Sequence, residues 1–131
     1  MSGNTLRTTL SLAGCLGMNG GGGDSPKETF KLGGKVAGWQ GRAPSAIEGK
    51  SNPTLQMTAG TTYEIVWENL DGKEHELIIE SESGEELAAT EHASKKGQTR
   101  SVTFTAMSEA ASYYCEYHPK SMRGKVVVSN N

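Results

Sequence analysis

Long apolar runs are missing from this chain: no stretch approaches the roughly 20 apolar residues that a membrane-spanning helix needs. A basic excess is missing as well. Thirteen Lys and Arg stand against 15 Asp and Glu, giving a net charge of −2 and a pI of about 5.9. That balance lacks the basic stripe of a nucleic-acid binder. The two signs are interspersed, so the surface reads as solvated and slightly acidic. Cysteine is scarce: Cys15 and Cys115 are the two present, too few for a disulfide-stapled scaffold. A bridge between them is disfavoured, because Cys15 lies in a Gly-rich stretch whereas Cys115 has ligand-type neighbours. Aromatics make up only 6% of the chain, yet Tyr113, Tyr114 and Tyr117 crowd around Cys115.

Glycine is abundant, with 17 residues, and part of it marks a distinct head. Residues 1–26 combine a short apolar run with four consecutive glycines at 20–23. Within that run, Leu12-Ala13-Gly14-Cys15 resembles a prokaryotic lipobox, whose cysteine becomes the lipidated N-terminus after signal cleavage. The resemblance implies an extracytoplasmic protein held at the outer face of the cell membrane by a lipid on Cys15. Against it, only Arg7 supplies positive charge ahead of the run, and the run is short for a signal peptide. The plain alternative is a disordered tail with an incidental thiol. Either way the glycines form a flexible tether.

Residues 27–131 are expected to form one domain, long enough for a modest self-supporting core. Short segments separated by turn residues give an all-β pattern, with strands expected at 29–32, 34–40, 54–58, 62–68, 75–80, 85–89, 100–105, 111–114 and 125–129. Tyr63, Ile65 and Trp67 alternate with more polar positions, as do Val102 and Phe104, so each strand has one buried face. Asp71-Gly72 and Ser83-Gly84 are hairpin-turn candidates, and residues 108–111 could make one helical turn. A Greek-key sandwich or barrel of about seven to nine strands follows.

Near the C-terminus stands the densest chemistry. Cys115, His118 and Met122 fall within eight positions, followed by the apolar run Val126-Val127-Val128. Upstream, His75 follows the Asp71-Gly72 turn and heads the run Leu77-Ile78-Ile79. Two His, one Cys and one Met is the donor set of a mononuclear blue-copper site, trigonal His2Cys with a weak axial Met. Cys115 would bind as thiolate, since coordination deprotonates a thiol. One loop could place Cys115 and His118 on the same ion and fold back to present Met122. His92 has no partner sulfur near it in sequence and stays outside the set. The tyrosines read as core and rim packing.

The segment Cys115-x-x-His118-Pro119-x-x-Met122-x-Gly124, with His75 upstream, resembles the plastocyanin-like cupredoxins. The nearest likeness is to the halocyanin-type small blue copper proteins of haloarchaea. It covers roughly residues 45–129, including Val66-Trp67-Glu68-Asn69 and Val102-Thr103-Phe104-Thr105-Ala106. The resemblance implies one type 1 copper per chain and one-electron transfer between larger redox proteins. Those donors and acceptors would dock transiently on nonpolar surface around the exposed edge of His118, with the carrier a monomer. Two departures stand out. Many relatives carry an Asn after the first His ligand, where this chain has Glu76, and plastocyanins usually have one more residue between the second His and the Met.

Other readings remain at this level. A multicopper oxidase needs many more than three histidines, and a binuclear copper site needs two neighbouring cysteines. Copper storage or delivery would favour Met- or His-rich tracts, but the five methionines are scattered. Zinc could take the same ligands, although structural zinc usually has four strong N or S donors. A metal-free adhesion sandwich would make the spacing a coincidence.

Overall fold

Alternating burial organises the fold. In the computed structural model, which describes residues 26–130, nine strands form: β1 (Glu28–Lys35), β2 (Gly38–Ala43), β3 (Leu55–Thr58), β4 (Thr62–Asn69), β5 (Leu77–Ser81), β6 (Glu86–Ala89), β7 (Thr99–Thr105), β8 (Ala110–Cys115) and β9 (His118–Ser129). The lipobox-like and glycine-rich head lies outside the described residues. No helix among those described is long and apolar enough to cross a membrane.

The strands make a four-stranded sheet, β2-β1-β4-β7, and a five-stranded one, β3-β9-β8-β5-β6. In β4, Tyr63, Ile65 and Trp67 are buried while Glu64, Val66 and Glu68 between them are not. That period of two lays one face of the first sheet on the second. Phe30, Leu32, Ile65 and Trp67 from one sheet join Leu55, Leu77, Ile79, Tyr113 and Val126 from the other in a single core. The two-sheet all-β architecture expected from the sequence is what forms.

Most strand ends shift by one to three residues, and three differences are larger in consequence. The segment expected as one strand at 34–40 is split, because the chain reverses at Val36-Ala37 and pairs Lys35 with Gly38 in a β1–β2 hairpin. Gly38 has φ +151°, and a Cβ there would come 3.0 Å from the Ser51 hydroxyl, so glycine suits the reversal. Ser108-Glu109 form a turn closed by Ala110 N–H to Met107 O, and Ala110 already belongs to β8, so no helical turn forms. The last strand begins at His118 rather than Lys125, which brings the expected ligand loop into β9.

Candidate metal centre

Three side chains from two distant parts of the chain meet at one end of the sandwich. Cys115 ends β8, a two-residue turn of Glu116 and Tyr117 follows, and His118 opens β9 opposite Cys115. His75 precedes β5, its main chain held by reciprocal hydrogen bonds with Ala93 of 3.0 and 2.9 Å. Leu77 pairs with Cys115 across β5 and β8, which places the His75 segment beside the thiol. The Nδ1 atoms of His75 and His118 lie 3.7 and 3.5 Å from Cys115 Sγ. Ligand atoms of all three fall within 4.8 Å of one another.

These separations fit a shared ion. Bonds of about 2.0 Å to nitrogen and 2.3 Å to sulfur, meeting between tetrahedral and trigonal angles, put the two donor atoms about 3.5–3.7 Å apart. Cys115 and His75 are fully buried and His118 is half-buried. Met122 is also fully buried, at the end of residues 119–122, which have no partner across the β8–β9 ladder. Pairing resumes with Arg123 opposite Tyr114 and Gly124 opposite Tyr113. Gly124 is required there: a Cβ would stand 2.5 Å from the Tyr113 ring, whose hydroxyl donates to Pro53 O at 2.5 Å.

The electrostatics suit a cation. Burial pushes the Cys115 thiol above its ordinary range, opposed by backbone N–H groups of Glu76, Tyr117 and His118 aimed at the sulfur. Those three donors favour a thiolate, and a metal ion is the remaining charge needed to hold one. His118 is held below its ordinary value by burial and by His75 beside it, so it stands neutral with a lone pair to donate. The donor set of two imidazoles, one thiolate and a buried thioether suits copper.

Neighbouring residues set the His75 end. Its Nε2 lies 2.8 Å from Asp71 Oδ1. Buried Asn69 winds the preceding turn: its Oδ1 accepts from Asp71 N and Gly72 N, and its Nδ2 donates to Lys73 O and Ala93 O. Asp71-Gly72 is therefore an Asx-type turn rather than a strand-to-strand hairpin. An Asn or Asp shortly before a Gly is the sequence signal for such a turn, but its role beside His75 shows only in the fold. At Glu76 the main chain supplies the cross-link, with Glu116 N–H donating to Glu76 O at 3.0 Å and Glu76 N–H directed at Cys115. His92 lies exposed and paired with Glu74. Tyr113 is core, Tyr114 lies half-buried under Arg123, and Tyr117 is 44% exposed at the rim.

A family model described as copper binding proteins, plastocyanin/azurin family, matches residues 51–129, more than half of the chain. Similar solved structures include auracyanin A, a "blue" copper protein from the green thermophilic photosynthetic bacterium Chloroflexus aurantiacus. It is 22% identical over 77% of this chain and 98% of that one, with a TM-score of 0.57. The copper protein rusticyanin is 20% identical over 80% of each chain, with a TM-score of 0.61. Auracyanin B is 17% identical over 82% of this chain and 92% of that one, at 0.57. Likeness at these identities speaks to the fold. No curated protein sequence matches the chain significantly.

Proposed function

Because the chain belongs to the plastocyanin/azurin family of copper-binding proteins, we propose that it is a one-electron carrier whose copper is held by His75, Cys115, His118 and Met122. The observation that carries this reading is the convergence of both imidazole Nδ1 atoms on Cys115 Sγ at 3.7 and 3.5 Å. Bound copper supplies a one-electron couple, Cu(II) content with imidazole and Cu(I) with soft sulfur. Burial supports the reading: His75, Cys115 and Met122 are packed in the core, which limits how far they would move between oxidation states.

Four donors leave no open position for a substrate, unlike catalytic metal sites, which keep one. That arrangement favours a carrier over an enzyme. His118 alone of the buried cluster reaches the surface, with exposed Tyr117 two residues after the thiol and Val36 37% exposed behind Ser121. This apolar rim suits brief docking of redox partners through a small interface, the carrier acting as a monomer. Within the family we assign the halocyanin type, supported by the quoted motifs and by the glycine-rich head before a single domain at 27–131. The lipobox-like segment supports an extracytoplasmic location with a lipid on Cys15.

The test is copper loading followed by absorption and electron paramagnetic resonance spectroscopy. An intense blue thiolate-to-copper band that bleaches on reduction is expected; a colourless protein after oxidation would favour zinc or no metal. Mass spectrometry of the native protein checks the anchor, and an unmodified chain upstream of Cys15 would count against lipidation.

A further inference from the structure

One side chain beside the candidate centre, not itself among the donors, is hydrogen-bonded to His75 and, through Val36, is linked to the segment that carries Met122. Asp71 Oδ1 faces His75 Nε2 at 2.8 Å and also accepts from Lys73 N at 3.0 Å. Its other oxygen, Oδ2, accepts the Val36 N–H at 2.8 Å across the β1–β2 reversal. The Val36 carbonyl in turn accepts from the Ser121 hydroxyl at 2.5 Å, and Ser121 O accepts from Asn52 Nδ2 at 3.0 Å. Ser121 immediately precedes Met122. A continuous path therefore runs from the ring of His75 through Asp71 and one residue of β1–β2 to the unpaired stretch that ends at Met122.

An ionised carboxylate only accepts hydrogen bonds. A ring proton on Nε2 satisfies that acceptor at 2.8 Å, and Nδ1 is then the nitrogen that faces Cys115 Sγ with its lone pair. Which ring nitrogen binds a metal is set by the bond the other one makes, and carboxylate partners also make the imidazole a stronger donor. We propose that Asp71 is a positioning residue of this centre: it selects the His75 tautomer and, through Val36, braces that imidazole against the Ser121–Met122 segment. The negative charge beside a ligand also favours the more positive oxidation state of the ion, so it lowers the reduction potential. The inference rests on the copper-carrier reading above.

The test compares Asp71→Asn, Asp71→Ala and Ser121→Ala with the wild-type full-length protein. Asn keeps the shape and one acceptor for His75, but its amide N–H group opposes the Val36 N–H and carries no charge. Both Asp71 variants are expected to raise the reduction potential and to weaken copper retention against a chelator by about 10- to 100-fold, the usual effect of losing such a partner. Nitrogen-15 spectra of the metal-free protein should place the His75 proton on Nε2 in the wild type. That resonance should persist in Ser121→Ala, whose copper form should show altered electron paramagnetic resonance parameters.

A merely structural Asp71 would lower the melting temperature without moving the potential, and an unshifted potential in Asp71→Asn overturns the proposal. So does a wild-type His75 protonated on Nδ1. A Ser121→Ala spectrum identical to wild type overturns the bracing. Failure of the wild type itself to show the thiolate band sinks the carrier reading instead, so the two failures are distinguishable.

Discussion

The two imidazoles that meet Cys115 live in opposite surroundings. His75 is wholly buried, packed 6.3 Å from the ring centroids of both Trp39 and Trp67, with its main chain paired to Ala93 and its far nitrogen held by Asp71. His118 opens a strand, is half-exposed, and among the described residues has no hydrogen-bond partner at its far nitrogen. One ring is part of the core that happens to carry a donor atom. The other is a surface residue drawn in by a two-residue turn. On the carrier reading proposed above, the first would fix the centre in place and the second would connect it to the outside.

The largest expected effect falls on the atom both rings share. Cys115→Ser should abolish the blue band of the copper-loaded protein, and a variant that stays blue means the ligand assignment is wrong. The comparison itself is tested next, on the metal-free protein. His75→Ala should destabilise by about 2–5 kcal/mol, the range for truncating a large buried side chain. His118→Ala should stay within about 0.5 kcal/mol, as surface changes do. Equal losses in denaturant titrations would mean that the two surroundings do not differ in energy.

Met122→Leu should keep both volume and colour while shifting the potential, measured by redox titration; loss of colour would make the thioether more than a weak axial donor. The smallest effect is expected away from the rings. Partial burial pushes the Glu80 carboxyl up, but hydrogen bonds from Arg123 and Ser112 outweigh it and leave it below its ordinary value of 4.5. A group lowered on folding stabilises above its unfolded value and loses that contribution as pH falls through the folded one. Glu80→Gln should therefore lower the melting temperature slightly near neutral pH and match wild type in acid. A deficit that persists unchanged in acid would place the effect in packing instead of charge.

How much of this was legible in the residues depends on range. The donors stood out because Cys115, His118 and Met122 are close in sequence and a turn-His-strand pattern precedes them at His75. The buried alternation of β4 was plain for the same reason: a period of two is local. What escaped was set by contacts across the fold. The break at Val36-Ala37 sits inside an apolar stretch that reads as one strand, and only the register of β1 on β2 divides it. Asp71 looked like a turn residue because its partners, Val36 and His75, are respectively 35 positions upstream and four downstream. The role of Glu76 was hidden differently. A side-chain link absent at that position is replaced by its own peptide group, and peptide groups carry no sequence signal.

One feature of β9 bears on how such a centre can be adjusted. Residues 119–122 leave the ladder and Arg123 rejoins it opposite Tyr114, so strand register beyond this point does not depend on how many residues the detour contains. A change in its length would alter the reach between His118 and the thioether, and it would also act on the bonds that tie Ser121 to Val36 and Asn52. The detour is thus bracketed by two fixed points of the ladder, Cys115 opposite His118 and Tyr114 opposite Arg123.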